Sequence, residues 1–202
     1  LTEVLALLDV PAIRQGFGMA EADLPILQRW LIGAGARWGL NAEQRVRLGL
    51  PEAMEQNTWR FALRRMLLGY AMGQGADFAG IEPYTEVAGL EAALLGPLVL
   101  LLDELDVFAE QLSRSDTPAG WTQLLIQLLE RFFAGETEQE LLLLQRLQQS
   151  VHDWAEACAQ AELTRELPLA VVREAWLATV DAERGSQRFL AGSVNFCTLM
   201  PM

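Results

Sequence analysis

Asn57-Thr58-Trp59-Arg60-Phe61-Ala62-Leu63-Arg64-Arg65-Met66-Leu67-Leu68-Gly69-Tyr70 decides the fold class of this chain. Trp59, Leu63, Met66, Leu67 and Tyr70 recur three or four positions apart, the spacing that gathers apolar side chains on one face of a helix. Asn57 or Thr58 supplies its N-cap. The same period continues outward. Residues 1–8 read as helix, and Asp9 is placed to cap a short helix with Pro11 in its first turn, ending near Gly16 to Gly18. Residues 21–32 put Leu24, Leu27, Leu31 and Ile32 on one stripe closed by Gly33 and Gly35, and Asn41 caps a short turn through Leu48. Residues 88–112 read as a long helix or a pair kinked at Pro97, with Leu90, Leu94, Leu98, Leu101, Leu105 and Phe108 near a heptad stripe. A turn over 115–120 precedes helices over 121–133, 137–160 and 168–180. The expected fold is all-α, an irregular helical bundle.

The C-terminus breaks the pattern. Residues 186–192 read as a turn, and Val194, Phe196 and Cys197 then favour a buried strand. A lone strand cannot satisfy its own backbone donors and acceptors, and nothing before Ser193 alternates with period two. Leu1 is not an initiator methionine. These features together predict a piece of a longer protein. The expected division is a helical subdomain over 1–186, with an internal loop over 73–87 whose glycines make it the best linker candidate, and a turn and single C-terminal strand over 187–202 left over from an adjoining domain.

With 51% hydrophobic and 21% charged residues in 202, the chain has ordinary globular chemistry and enough length for a sizeable core. Its longest apolar run, residues 94–102, is interrupted by Gly96-Pro97 and closed by Asp103-Glu104, far short of a membrane span. No secretory signal opens the sequence. Cys158 and Cys197 lie on separate elements and form no disulfide framework, which points to a reducing compartment, the cytoplasm. All 15 basic residues are arginine, against 27 acidic ones, for a net charge of −12. That balance argues against an isolated non-specific nucleic-acid binder. The absence of lysine excludes a Walker A loop, a Schiff base and a lysine-assisted nuclease site, so the chain does not hydrolyse ATP by itself.

Candidate sites are few. His152, the only histidine, is six positions from Cys158 on one helix, so the two do not share a face and no metal site is expected. Asp103, Glu104 and Asp106 read as a solvated helix face, and Gly33-Ala34-Gly35 with Gly39 has the wrong spacing for a phosphate loop. Arg60, Arg64 and Arg65 form one basic cluster. Arg60 and Arg64 lie one turn apart and either bridge DNA phosphates or pair with the chain's own carboxylates. Trp30, Trp59, Trp121 and Trp154 sit at core spacing. Trp38, in a loop beside Arg37, reads as an interface anchor. No nucleophile–base pair appears, so no catalytic residue is expected.

Arg37-Trp38-Gly39-Leu40, then Glu55-Gln56-Asn57-Thr58-Trp59-Arg60-Phe61 running into Arg65-Met66-Leu67-Leu68-Gly69-Tyr70-Ala71-Met72, resembles the RecC family, the gamma chain of exodeoxyribonuclease V. Gln187-Arg188-Phe189-Leu190-Ala191-Gly192 and Cys197-Thr198-Leu199-Met200-Pro201-Met202 resemble it equally. The resemblance implies a superfamily 1 helicase-like subunit that has lost its ATPase. It implies RecB and RecD as partners in a heterotrimer, with DNA met in the assembled complex and ATP and Mg used through other subunits. Such a subunit helps split the duplex, guide a strand and recognise Chi. The helical part then looks like subdomain 2B, inserted in the RecA-like domain 2A, whose returning strand would start at Ser193.

Working helicases of that superfamily follow this strand with a threonine and, two residues later, a histidine. Thr198 matches the threonine and could hold a residual bond to phosphate. Met200 stands where the histidine would be, which fits a dead motor. Two functions of different class follow. One is a non-catalytic structural and DNA-guiding subdomain in double-strand break repair and recombination. The other is an autonomous acidic helical adaptor, for which leucine-rich helices and negative charge would suffice.

Overall fold

The computed structural model describes residues 2–51, 55–74 and 77–190, the side chains of Thr2 and of residues 182–190 aside. Among them the regular structure is helical: α1 (Thr2–Leu8), α2 (Pro11–Gly16), α3 (Leu24–Gly33), α4 (Ala42–Arg47), α5 (Trp59–Met72), α6 (Leu95–Leu112), α7 (Pro118–Phe132), α8 (Glu138–Gln160) and α9 (Leu169–Leu190). Isolated bridges, Phe78 with Ile81 and Asp116 with Leu167, are the β pairing within the described residues.

Local chemistry sets several helix starts. Thr58 caps α5, its hydroxyl accepting the Phe61 N–H at 3.1 Å. Thr117 does the same for α7, accepting from Gly120 with Pro118 as the first helical residue. In α8, Thr137 and Glu140 exchange bonds: Glu140 accepts the Thr137 N–H at 3.0 Å and returns its own to Oγ1 at 3.2 Å. Those backbone donors, Thr137 first and Glu136 second, hold the exposed Glu140 carboxyl below the usual range.

Several expectations are corrected. Val10, not Asp9, is the N-cap of α2. Pro97 does not kink a long helix. Residues 89–94 form a 3-10 stretch, α6 starts at Leu95, and Pro97 falls in its first turn, where the missing N–H has no partner to lose. Leu90 accordingly leaves the stripe and is 96% exposed. Ile32, Leu67 and Tyr70 also face outward, while Trp30 takes the inward place on α3. The turn expected over 186–192 is not present as far as Leu190, because α9 continues through that residue. The predicted strand at 194–197 lies outside the described residues.

The chain divides into two units. The first runs to Glu110 and includes Glu130–Leu141; the second covers Gln111–Leu129 and the chain from Leu142 onward. The glycine-rich loop over 73–87 lies inside the first unit. There Phe132 receives Phe17 and Phe108 edge-on, with ring centroids 5.5 and 5.4 Å away. Trp30, Leu31, Met66, Leu98 and Leu101 are fully buried. In the second unit Trp121 is fully buried and its indole N–H donates to the Leu167 carbonyl at 2.8 Å. Trp176 donates to the Ser150 hydroxyl at 2.8 Å. The four tryptophans expected as packing anchors, Trp30, Trp59, Trp121 and Trp154, are all buried.

Within the first unit α3 packs on α5, and Tyr84 returns from the glycine-rich loop to meet both. Its N–H donates to the Arg65 carbonyl at 2.9 Å and its hydroxyl to Glu86 at 2.8 Å. Burial, then the Glu86 bond and charge, push the phenol from 10 up to about 12. A folded-state value raised in this way stabilises the fold below pH 10, and that contribution is lost as pH climbs toward 12. Urea midpoints measured across pH 9–12 should fall through this window in the wild type. In Tyr84→Phe that part of the fall should vanish.

Candidate interaction surface

The loop over residues 37–41 is stitched to the start of α5. Trp59 and Arg60 N–H groups, unpaired in an isolated helix, donate to the Gly39 and Leu40 carbonyls at 3.1 and 3.0 Å. Arg37 N–H donates to the Asn57 carbonyl at 2.9 Å. Asn41 caps α4 as expected, accepting from Gln44 N–H at 2.7 Å, and its amide donates to both Asp106 oxygens at 3.0 and 2.9 Å. One asparagine therefore starts α4 and ties it to α6.

Arg45 holds this assembly from within. It is 3% exposed, and its guanidinium donates to the Gln56 carbonyl at 2.8 Å and the Trp38 carbonyl at 2.7 Å. The same group lies 4.5 Å from the centroid of the Trp38 ring, a cation–π contact. Gly39 makes room for it: its φ of +76° is in the left-handed region, and a Cβ there would come within 2.9 Å of Arg45 Nε. Trp38 is thus pinned yet remains 48% exposed.

Two grooves border α4. On one, Trp38, Leu40, Leu48, Leu105 and Val4 line an apolar groove of about 330 Å³. On the other, a cleft of about 570 Å³ is edged by Glu43, Arg47, Asp103, Asp106 and Glu110.

The arginine cluster does not converge. Arg60 pairs with Asp103, with Asp106 at 3.6 Å, and with the Leu102 carbonyl at 3.4 Å. Arg64 pairs with Glu55. Arg65 turns the other way, to the Ala34 and Glu82 carbonyls at 2.9 and 2.8 Å and to the Glu82 carboxylate. Asp103 and Asp106, expected as a solvated face, are the counterions of Arg60, and Glu104 sits 4.0 Å from Arg131. Arg60→Ala should cost about 1 kcal/mol in urea denaturation, since it removes the ion pairs to Asp103 and Asp106 while Asn41 still donates to Asp106. A double-mutant cycle with Asp106→Asn should return a coupling of about 1 kcal/mol.

His152 is exposed and Cys158 buried, with burial pushing the Cys158 thiol up and keeping it protonated. No group of three or more His, Cys, Asp and Glu among the described residues is placed to hold a metal ion. Among the same residues no helix is long and apolar enough to cross a membrane. Thr198 lies outside the described residues. The sequence did not single out Arg45, because nothing local distinguishes it from Arg47 two positions on.

Two of the segments that carry the sequence resemblance, 37–40 and 55–61, are stitched together here. The family model for the RecBCD enzyme subunit RecC fourth domain matches residues 1–184. The chain belongs to the RecC family. It is 41% identical to the RecBCD enzyme subunit RecC of Escherichia coli over an alignment of 204 positions that covers 99% of this chain and 18% of that protein. The Haemophilus influenzae subunit is 32% identical over 99% of the chain and 17% of its own length. That of Mycobacterium tuberculosis is 27% identical over 100% and 18%. The chain therefore spans less than a fifth of the length of these curated relatives.

Proposed function

We propose that the chain is a non-catalytic helical domain of a RecC-type subunit, working with RecB and RecD in duplex unwinding and end processing during double-strand break repair and recombination. The observation that carries this is the RecC fourth-domain match over residues 1–184. The use of the arginines supports an architectural role within it. Arg60 and Arg64 face carboxylates of their own chain, so the basic cluster holds helices together instead of presenting an open row of cations to phosphate. Guidance of DNA is then a property of the assembled enzyme, to which this domain contributes shape.

The test is fluorescence anisotropy of a labelled forked duplex with the full enzyme, titrated across salt concentration. Arg64→Ala should leave affinity within about twofold and the salt slope unchanged. A slope reduced by about 0.9 would mean that this residue neutralises a phosphate and that its face lies on the DNA path. An enzyme that assembles and unwinds normally without this domain would overturn the proposal.

A further inference from the structure

We infer that residues 81–88 form a strap that opens as one unit, swinging on Gly80 and Gly89 and clasped by Arg65, while α3 and α5 beneath it stay folded. The strap runs from the Phe78–Ile81 bridge to the 3-10 stretch and lies within the first unit. Residues 82–88 are neither helix nor strand. Glycines in the left-handed region bracket them: Gly80 has φ +77° and Gly89 φ +63°, and a Cβ on either would meet nothing within 4 Å. Unpacked positions of this kind absorb the backbone rotations of a hinge.

Few contacts hold the strap down. Tyr84 and Val87 are its buried side chains, whereas Glu82, Thr85, Glu86 and Ala88 face solvent. Among the described residues, one backbone hydrogen bond joins residues 82–88 to another part of the chain, from the Tyr84 N–H to the Arg65 carbonyl at 2.9 Å. Two arginines reach the strap. Arg29 pairs with Glu86 at 4.0 Å and Glu91 at 3.4 Å, but all three side chains are at least half exposed, so water screens these pairs. Arg65 is the clasp. Its guanidinium holds the Glu82 carbonyl and carboxylate on one side and the Ala34 carbonyl, just past α3, on the other.

The contacts are made or lost together. Tyr84 occupies both glycine sites, its carbonyl against Gly69 of α5 and its ring against Gly33 of α3, so lifting that one residue vacates both. The same movement breaks its bond to the Arg65 carbonyl. The helices do not depend on the strap. Thr58 caps the start of α5, the Gly73 N–H closes its end on the Gly69 carbonyl, and Trp30, Leu31 and Met66 are fully buried in the core. A segment with few buried apolar groups and solvent-exposed backbone, set on a well-packed floor, is the kind of unit that opens below the global unfolding free energy. The floor thus has a closed and an open form over the same helices, and whatever binds one form better shifts the balance between them.

The test is thiol labelling of the full RecC-type subunit with N-ethylmaleimide, read residue by residue by mass spectrometry of the digested protein. Val87→Cys reports the strap, and Ala62→Cys, fully buried on α5, reports the helices. In native buffer Val87→Cys should react about a hundredfold or more faster than Ala62→Cys, and about tenfold or more slower than the same thiol in urea-unfolded protein. Adding Arg65→Gln should speed the Val87→Cys reaction about tenfold and leave that of Ala62→Cys within about twofold. Hydrogen exchange in the unsubstituted subunit reads the same opening without either cysteine. The Tyr84 amide should exchange faster than the Met66 amide of α5, with a shallower dependence on urea. Equal rates at the two cysteines, or at the two amides, would mean that the strap leaves only when the whole unit unfolds. A Val87→Cys rate equal to that of the unfolded thiol would mean that the strap is not seated. Arg65→Gln changing neither rate, or both alike, would mean that Arg65 is no clasp. Each of these results would overturn the inference.

Discussion

Gly69→Ala should destabilise the protein by about 3 kcal/mol and lower its melting temperature by about 6–12 °C. In most helix interiors the same change stabilises by about 1 kcal/mol, because alanine is the better helix former. Here the sign reverses. A Cβ on Gly69 would overlap the Tyr84 carbonyl and crowd the Thr85 nitrogen, both backbone atoms that no rotamer change can move. Tyr84 has no room to retreat, since a Cβ at Gly33 would likewise strike its ring. The two glycines form a slot from α3 and α5 that receives the returning loop. Gly96→Ala, in the first turn of α6 with nothing within 4 Å of the added carbon, is the control and should be neutral or slightly stabilising. Differential scanning calorimetry of both variants decides the matter. Equal melting temperatures would mean that the loop does not seat on Gly69.

Arg45→Ala should cost about 3–4 kcal/mol. It removes two charge-assisted bonds and leaves the Gln56 and Trp38 carbonyls to find other partners. Arg45→Lys should recover little of this loss, because an ammonium offers no planar fork to reach both carbonyls and stack on the indole. The damage should be local before it is global. Hydrogen exchange at the Trp59 and Arg60 amides, which donate to Gly39 and Leu40, should accelerate at denaturant concentrations where the remaining helices stay protected. Uniform protection across the chain in Arg45→Ala would show that the 37–41 loop holds its shape without the guanidinium.

Both effects arise where the sequence was least legible. Two helix starts were readable because capping is a matter of neighbours: Thr58 with Phe61, and Asn41 with Gln44. Pro97 was misread because its meaning depends on where the helix begins, and Leu95 rather than residue 88 begins it. Trp38 reads as an interface anchor from its loop setting, and the structure leaves it 48% exposed. Its brace was not legible, since Arg45 and Arg47 are equivalent until the fold buries one and exposes the other. The basic cluster on α5 looked like one site from spacing alone. Its members instead part toward acids and carbonyls on other elements, the Leu102 carbonyl 42 positions from Arg60 among them.

By itself the sequence determined the helical class, the caps at Thr58 and Asn41, an acidic composition without lysine, and the RecC likeness. Each of these is carried by residue identity or by spacings of four positions or fewer. Only the tertiary structure decided that the arginines are counterions within the fold, that Gly33 and Gly69 shape a slot for Tyr84, and that an acidic cleft and an apolar groove both border α4. Ion pairs and close backbone approaches join residues far apart in sequence, and which of many equivalent partners meet is set by packing, not by periodicity.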